Sequence, residues 1–211
     1  VDISNLVYFA AVAVALTLMP GPDILFVIAQ SVSQGRKAGI ATAMGLCSGI
    51  TVHTTAAAVG ISAVLHQSAF AFQMVKYAGA CYLLYLAWKA LKEDDGGLSG
   101  RAIPRRNLKS LYKKGILMNV LNPKVSLFFL ALLPQFVSPG AGRIPLQMVL
   151  LGLIFMIQAF AVFSVVSILA GILSEKIRAY SNLGRYVNKV KAGIFLLLGI
   201  RLALSEGSSG M

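Results

Sequence analysis

From residue 3 to residue 29 the chain carries one charged side chain, Asp23, and five further apolar runs follow at residues 38–65, 70–91, 115–137, 146–173 and 190–204. Lipid offers no hydrogen bonds, so a chain crosses it only as a helix or as part of a closed barrel. Runs near 20 residues without strict alternation fit the helix and not the barrel strand. Five of the six have the length; the last, with fifteen residues, reaches it if it begins about one turn earlier, near Tyr186. Charged residues make up 12% of the 211-residue sequence, about half the share of a soluble domain. The expectation is an all-α integral membrane protein with six transmembrane helices. The first run is too long and too poor in basic flank for a cleaved signal peptide.

A net charge of +12 would suit a nucleic-acid partner, but its distribution argues against one. Arg36 and Lys37 separate runs one and two, eight basic residues from Lys89 to Lys114 separate three and four, and five from Lys176 to Lys191 separate five and six. The alternate connections hold only Lys76 and Arg143. That alternation follows the positive-inside rule. It places the three basic connections in the cytoplasm, against anionic lipid headgroups, and both termini on the far side. Cys47 and Cys81 stand in apolar context without metal-ligand spacing, and read as buried thiols. No metal or cofactor site is expected.

The first run is interrupted. Pro20, Gly21 and Pro22 remove two backbone donors and add freedom in φ, so a continuous helix is not expected there. Asn122, Pro123 and Lys124 interrupt run four in the same way. Residues 92–114, rich in charge, Gly and Ser, read as a flexible cytoplasmic linker between repeat one (1–91) and repeat two (115–204). Ala78-Gly79 in run three and Ala192-Gly193 in run six match weakly. Three spans per unit is an odd number, so the second unit enters the membrane from the opposite face. The chain is therefore expected to be a single transport domain of two inverted three-helix repeats, with helices 1 and 4 broken by proline. Paired breaks of this kind mark a midplane site in secondary transporters.

Asp23 is the one carboxylate well inside a span and Lys124 the one cation far from a surface, and each stands at a break. Two readings of each remain open. Asp23 is either a functional intramembrane acid or the N-cap of the helix that follows an ordinary turn. Lys124 either pairs with Asp23 and substrate or snorkels to an interface. If the breaks meet, a zwitterion's ammonium would seek Asp23 and freed carbonyls, and its carboxylate would seek Lys124 and helix-start N–H groups. Gly45 and Gly49 form a close-packing face on run two. His53, one turn on, is either an interhelical hydrogen bond or a proton relay or substrate contact. No His-Glu-x-x-His, Gly-x-Ser-x-Gly or phosphate-binding Gly-Lys-Ser/Thr motif occurs, so no catalytic residues are expected and energy must come from a gradient.

The motifs at 18–23, the Gly-rich second span with Gly45, Gly49 and His53, and residues 121–124 followed by 133–137 together resemble the LysE/RhtB family of bacterial amino-acid exporters, over nearly the whole chain. The resemblance implies a six-span inner-membrane exporter of amino acids or related metabolites, coupled to the proton motive force. A single membrane carboxylate favours a neutral zwitterion such as leucine, threonine or homoserine over a cationic substrate. Pro20, Gly21, Pro22, Asp23, His53, Asn122, Pro123 and Lys124 are the candidate substrate-binding residues. Expected partners are the amino acid, protons and the lipid bilayer, with homo-oligomerisation left open. Two alternatives are a metal or small-cation exporter on a related scaffold, disfavoured by the lack of a Cys, His and carboxylate cluster, and a membrane scaffold that transports nothing.

Overall fold

Among the described residues, seven helices carry the fold. Helix α1 (Ile3–Leu18) ends at the first proline break and α2 (Pro22–Gln34) leaves it; α3 (Arg36–Ala56) continues into a π-helical turn (Ala57–Ile61). Then come α4 (Ala69–Lys92), α5 (Leu108–Val120), α6 (Pro123–Leu127) with a π turn (Phe128–Leu132) and a 3-10 turn (Leu133–Phe136), and α7 (Ile144–Ile172). This computed structural model describes residues 3–61, 69–92, 107–138, 140, 142–173, 193, 196–197, 199–200 and 202–204, and among them there is no strand. His66, most of the 92–114 linker and most of the sixth run lie outside the described residues.

The prolines act as their chemistry requires. Pro22 and Pro123 each take the first turn of a helix, where a missing N–H goes unnoticed. The chain bends by 57° between α1 and α2, and by 48° between α5 and the segment from Pro123 to Phe136. Gly35, at φ +85°, turns α2 into α3; a side chain there would strain the backbone. Asn107 caps α5 by accepting the Ser110 N–H at 2.7 Å.

Three expectations need correction. Residues 108–114 are not linker: they form the first turns of α5, because Asn107 starts the helix ahead of the apolar run. The second half of the first span continues past residue 29 to Gln34. Cys47 is buried, but Cys81 faces outward from α4, where a thiol tolerates an apolar environment as well as an interior one.

Helix α3 is the packing centre, touching α2, α5 and α7. Its Gly45 lies directly on the Tyr112 backbone of α5, and α5 returns the approach with Gly115 against Thr42 of α3. A Cβ at Gly49 would stand 2.8 Å from the Asn119 side chain. Close backbone approach of this kind replaces the hydrophobic driving force that helices lack in lipid. The outward face of α7 is apolar throughout, with Leu146, Leu150, Ile157, Val165 and Ile172 exposed. Among the described residues, α7 is the one helix long and apolar enough to cross a membrane by itself, and each bent pair also qualifies when taken as one span. Helices α3 and α4 have 21 and 24 residues, enough length to cross, though α3 is made largely of Gly, Ala and Thr.

The two bent pairs run antiparallel. Tyr8 near the start of α1 stacks on Phe136 at the end of the second pair, ring centroids 5.4 Å apart. At the other end, Lys114 of α5 places its ammonium 4.8 Å over the Phe26 ring of α2.

A substitution pair tests the α3–α5 contact. Gly45→Ala drives a methyl into the Tyr112 backbone and should cost about 1–3 kcal/mol, whereas Gly60→Ala, with nothing within 4 Å of its added methyl, should be neutral. Thermal unfolding in detergent, read as midpoint and folded yield, distinguishes them.

Candidate functional site

In an uninterrupted helix the N–H of residue 20 would donate to the carbonyl of Leu16. Pro20 has none to give. The ammonium of Lys124 takes its place, donating to Leu16 O at 3.1 Å and to Met19 O at 3.4 Å. Lys124 is only 8% exposed, so it turns inward and does not snorkel.

The second break repeats this logic. Residue 123 would donate to Asn119 O, and Pro123 cannot. His53 Nε2 stands 3.0 Å from that oxygen, while the Asn122 N–H closes a tighter turn onto it at 2.9 Å. A carbonyl only accepts, so His53 Nε2 carries the hydrogen. The Asn122 side chain then caps α6, its Oδ1 accepting the Lys124 N–H at 3.0 Å. Each opened end is thus completed by a side chain from the other half of the chain.

Asp23 sits between them. It is 4% exposed and is not the cap of α2, a place held by Gly21 without a side-chain bond. Asn119 Nδ2 donates to its Oδ2 at 3.4 Å, and the charge of Lys124 acts on it through space. Among the described residues, Asp23 Oδ1, Asn119 Oδ1 and Asn122 Nδ2 are buried without hydrogen-bond partners. Each such atom costs about 1–3 kcal/mol in a finished core, so their clustering marks a place built for something else.

These groups share a cavity of about 20 Å³, room for one water molecule. Its polar wall is Asp23, Lys124, Asn119 and Thr17; its apolar wall is formed by Ile50, Val125, Phe155, Ala159 and Phe163, with Leu16 between. Of the residues singled out from sequence, Asp23 and Lys124 line it. Gly21 is buried against Lys124, where a Cβ would meet Nζ at 3.4 Å. Asn122 lies close to Asp23 without closing a hydrogen bond. His53 stands behind Asn119, off the cavity wall, with its ring 5.9 Å from that of Phe129. Pro22 and Pro123 face outward and shape the site through the backbone, as does Pro20.

Sequence reasoning missed Asn119, Thr17 and Gln158. Thr17 Oγ1 donates to Ala13 O at 2.8 Å and accepts from Gln158 Nε2 at 3.0 Å, tying α7 to α1 beside the break. A signal existed for two of them: Asn119 is a polar residue one turn before a proline, and Gln158 an amide in the middle of an apolar span. Among the described residues no group of three or more His, Cys, Asp or Glu could hold a metal ion.

Comparison with known proteins identifies the family. The family model described as LysE type translocator matches residues 14–206. Similar proteins include the uncharacterized membrane protein YrhP of Bacillus subtilis, 29% identical over 95% of this chain and 99% of its own. An uncharacterized membrane protein of Vibrio cholerae is 30% identical over 97% and 99%. The homoserine/homoserine lactone efflux protein of Salmonella typhimurium is 29% identical over 89% and 90%. No solved structure matches. With the match spanning both breaks and every element between them, the chain belongs to the LysE type translocator family of membrane-embedded transporters.

Proposed function

We propose that the protein exports neutral amino acids from the cytoplasm in exchange for protons, holding the substrate between Asp23 and Lys124. One observation carries this reading: a buried carboxylate and a buried ammonium, from opposite halves, on the wall of one cavity. The polar atoms around the cavity, three of them without hydrogen-bond partners, match a zwitterion. Asp23 Oδ1 and Asn119 Oδ1 accept from an ammonium; Lys124 Nζ and Asn122 Nδ2 donate to a carboxylate. The Salmonella relative is named for efflux of homoserine and homoserine lactone, of which homoserine is a zwitterion with an uncharged side chain. A cationic substrate would bring a second positive charge beside Lys124 with one carboxylate to offset both.

The cavity does not admit an amino acid as it stands, so binding requires the breaks to part. Lys124 supplies the link. Its ammonium holds the end of α1 through Leu16 O and Met19 O, and a substrate carboxylate draws it away. Binding then frees the hinge, which is a differential interaction with two conformations. Asp23 can hold a proton or an ammonium but not both, so the same group exchanges substrate for proton. His53, with its Nε2 hydrogen committed to Asn119 O, holds the second break in shape.

Two inverted three-helix repeats (1–91 and 115–204) in the inner membrane, with both termini periplasmic, complete the reading. The antiparallel bent pairs support it, as does the packing: α3 of the first half on α5 of the second is answered by α7 of the second on α1 of the first. In that orientation Arg36 is cytoplasmic. There, Ser31 Oγ donates to Ser167 Oγ at 2.9 Å and Ser167 Oγ donates to Arg36 O at 2.9 Å, closing α2, α3 and α7 together. On the opposite side a larger cavity of about 140 Å³ opens beside Asn5, Tyr8 and Gln135. Ring contacts join the two cavities: Phe136 on the wall of the larger is 5.1 Å from Phe9, Phe9 is 6.1 Å from Phe128, and Phe128 is 5.1 Å from Phe155 on the wall of the smaller, centroid to centroid. That arrangement fits a carrier shut toward the cytoplasm.

Counterflow of a radiolabelled amino acid in proteoliposomes tests the site. Asp23→Asn and Lys124→Met should each lower exchange by about tenfold or more, because each leaves a buried polar partner unmatched; unimpaired exchange by Asp23→Asn would remove that residue from the mechanism. Pro20→Ala tests the hinge without touching the substrate. It restores the N–H for Leu16 O, competes with Lys124, and should lower exchange by about tenfold to a hundredfold, while Pro145→Ala at the exposed start of α7 should leave it intact.

A further inference from the structure

The charged wall of the cavity cannot select among amino acids, because every one of them carries the same ammonium and carboxylate. Selection has to come from the opposite wall. That wall is one stripe of α7: Phe155, Ala159 and Phe163, four residues apart, are all buried and all line the cavity. Four-residue spacing stacks them on a single helix face. Two aromatic rings therefore bracket one methyl group at the level of Asp23 and Lys124.

The rings differ from the methyl in what they can yield. Phe155 is locked among other rings, its centroid 5.1 Å from Phe128 and 5.3 Å from Phe129. The helix itself is pinned at this level, since Gln158 Nε2 donates to Thr17 Oγ1 across to α1 and to Phe155 O within α7. Ile50 and Val125 complete the apolar surround. Ala159 is the one small side chain on the wall.

We propose that Ala159 is the specificity-determining residue, forming with Phe155 and Phe163 an apolar notch that receives the substrate's side chain and limits its size to a short aliphatic group. This rests on the zwitterion site proposed above: the notch lines the same cavity as Asp23 and Lys124, so a substrate held there by its two charged groups has Ala159 within reach of its side chain. Enlarging residue 159 shortens the chain that fits. Reducing it to glycine lengthens the chain that fits.

The test is competition between alanine and leucine for counterflow in proteoliposomes holding the full chain. Ala159→Val and Ala159→Leu should shift the preference toward alanine by about tenfold or more, and Ala159→Gly should shift it toward leucine, since one or a few methylenes in an apolar pocket are worth this much discrimination. A merely structural role would lower both substrates together, and a leucine-to-alanine ratio unchanged in the valine and glycine variants overturns the notch. Asp23→Asn, assayed alongside, separates the two failures. Loss of all exchange in Asp23→Asn with an unchanged ratio in the residue 159 variants refutes the notch and leaves the zwitterion site standing. Full exchange by Asp23→Asn refutes the site and the notch with it.

Discussion

Two carbonyl oxygens, Leu16 O and Asn119 O, set the terms for this fold. Each lost its helical donor to a proline four residues on, and in lipid such a group costs several kcal/mol if nothing replaces the bond. The replacement comes from far along the chain in both cases: Lys124 Nζ for Leu16, His53 Nε2 for Asn119. The first half cannot finish its own broken helix, and the second does so only in part, through the Asn122 N–H on Asn119 O. Association of the halves is therefore a requirement of backbone chemistry, and the polar groups it brings to the middle of the protein are the same ones that meet in the cavity.

The surroundings divide into stiff and adaptable parts. Glycines 45, 49 and 115 bring α3 and α5 into direct backbone contact, and packing of that kind has no intermediate positions. The second break is different. Five residues of α6 give way to a π turn and then a 3-10 turn, an uneven ladder of the sort found where helices bend in use. Phe128 and Phe129 stand on that ladder, packed against Phe9 and Phe155. Rings on an irregular segment can move as a group while α3 and α5 stay fixed.

How much of this could be read beforehand depends on where the information lies. The breaks were legible because proline and glycine act locally, and the two prolines that start α2 and α6 did so as their chemistry demands. Asp23 and Lys124 were legible because a charge in an apolar run is conspicuous. The direction in which Lys124 points was not: it is settled by Leu16 O and Met19 O, more than a hundred residues away, which a sequence does not place. His53 posed the same difficulty, since its partner is a main-chain oxygen with no residue type to betray it. The start of α5 is hard to read because the lysine-rich residues 108–114 belong to a helix that begins before its apolar part. Ala159 gave no signal at all. One alanine in an apolar span is unremarkable until the neighbouring rings are in place.

On the proposed mechanism, the double duty of Lys124 has an energetic consequence. A group that closes a hinge and also binds substrate cannot do both at full strength, so the free energy of substrate capture is reduced by the two carbonyl contacts it displaces. A ligand shifts a two-state equilibrium only by its differential affinity for the states, and here the difference is built into one ammonium. A carrier gains from this arrangement, because tight binding in either state would slow release on the far side. In that proposal the carbonyls of α1 are a competitor held permanently in the site, one that would retake Lys124 when substrate leaves and return the hinge to its closed form. The proline at position 20 is what creates that competitor, by denying Leu16 O the bond an ordinary helix would have given it.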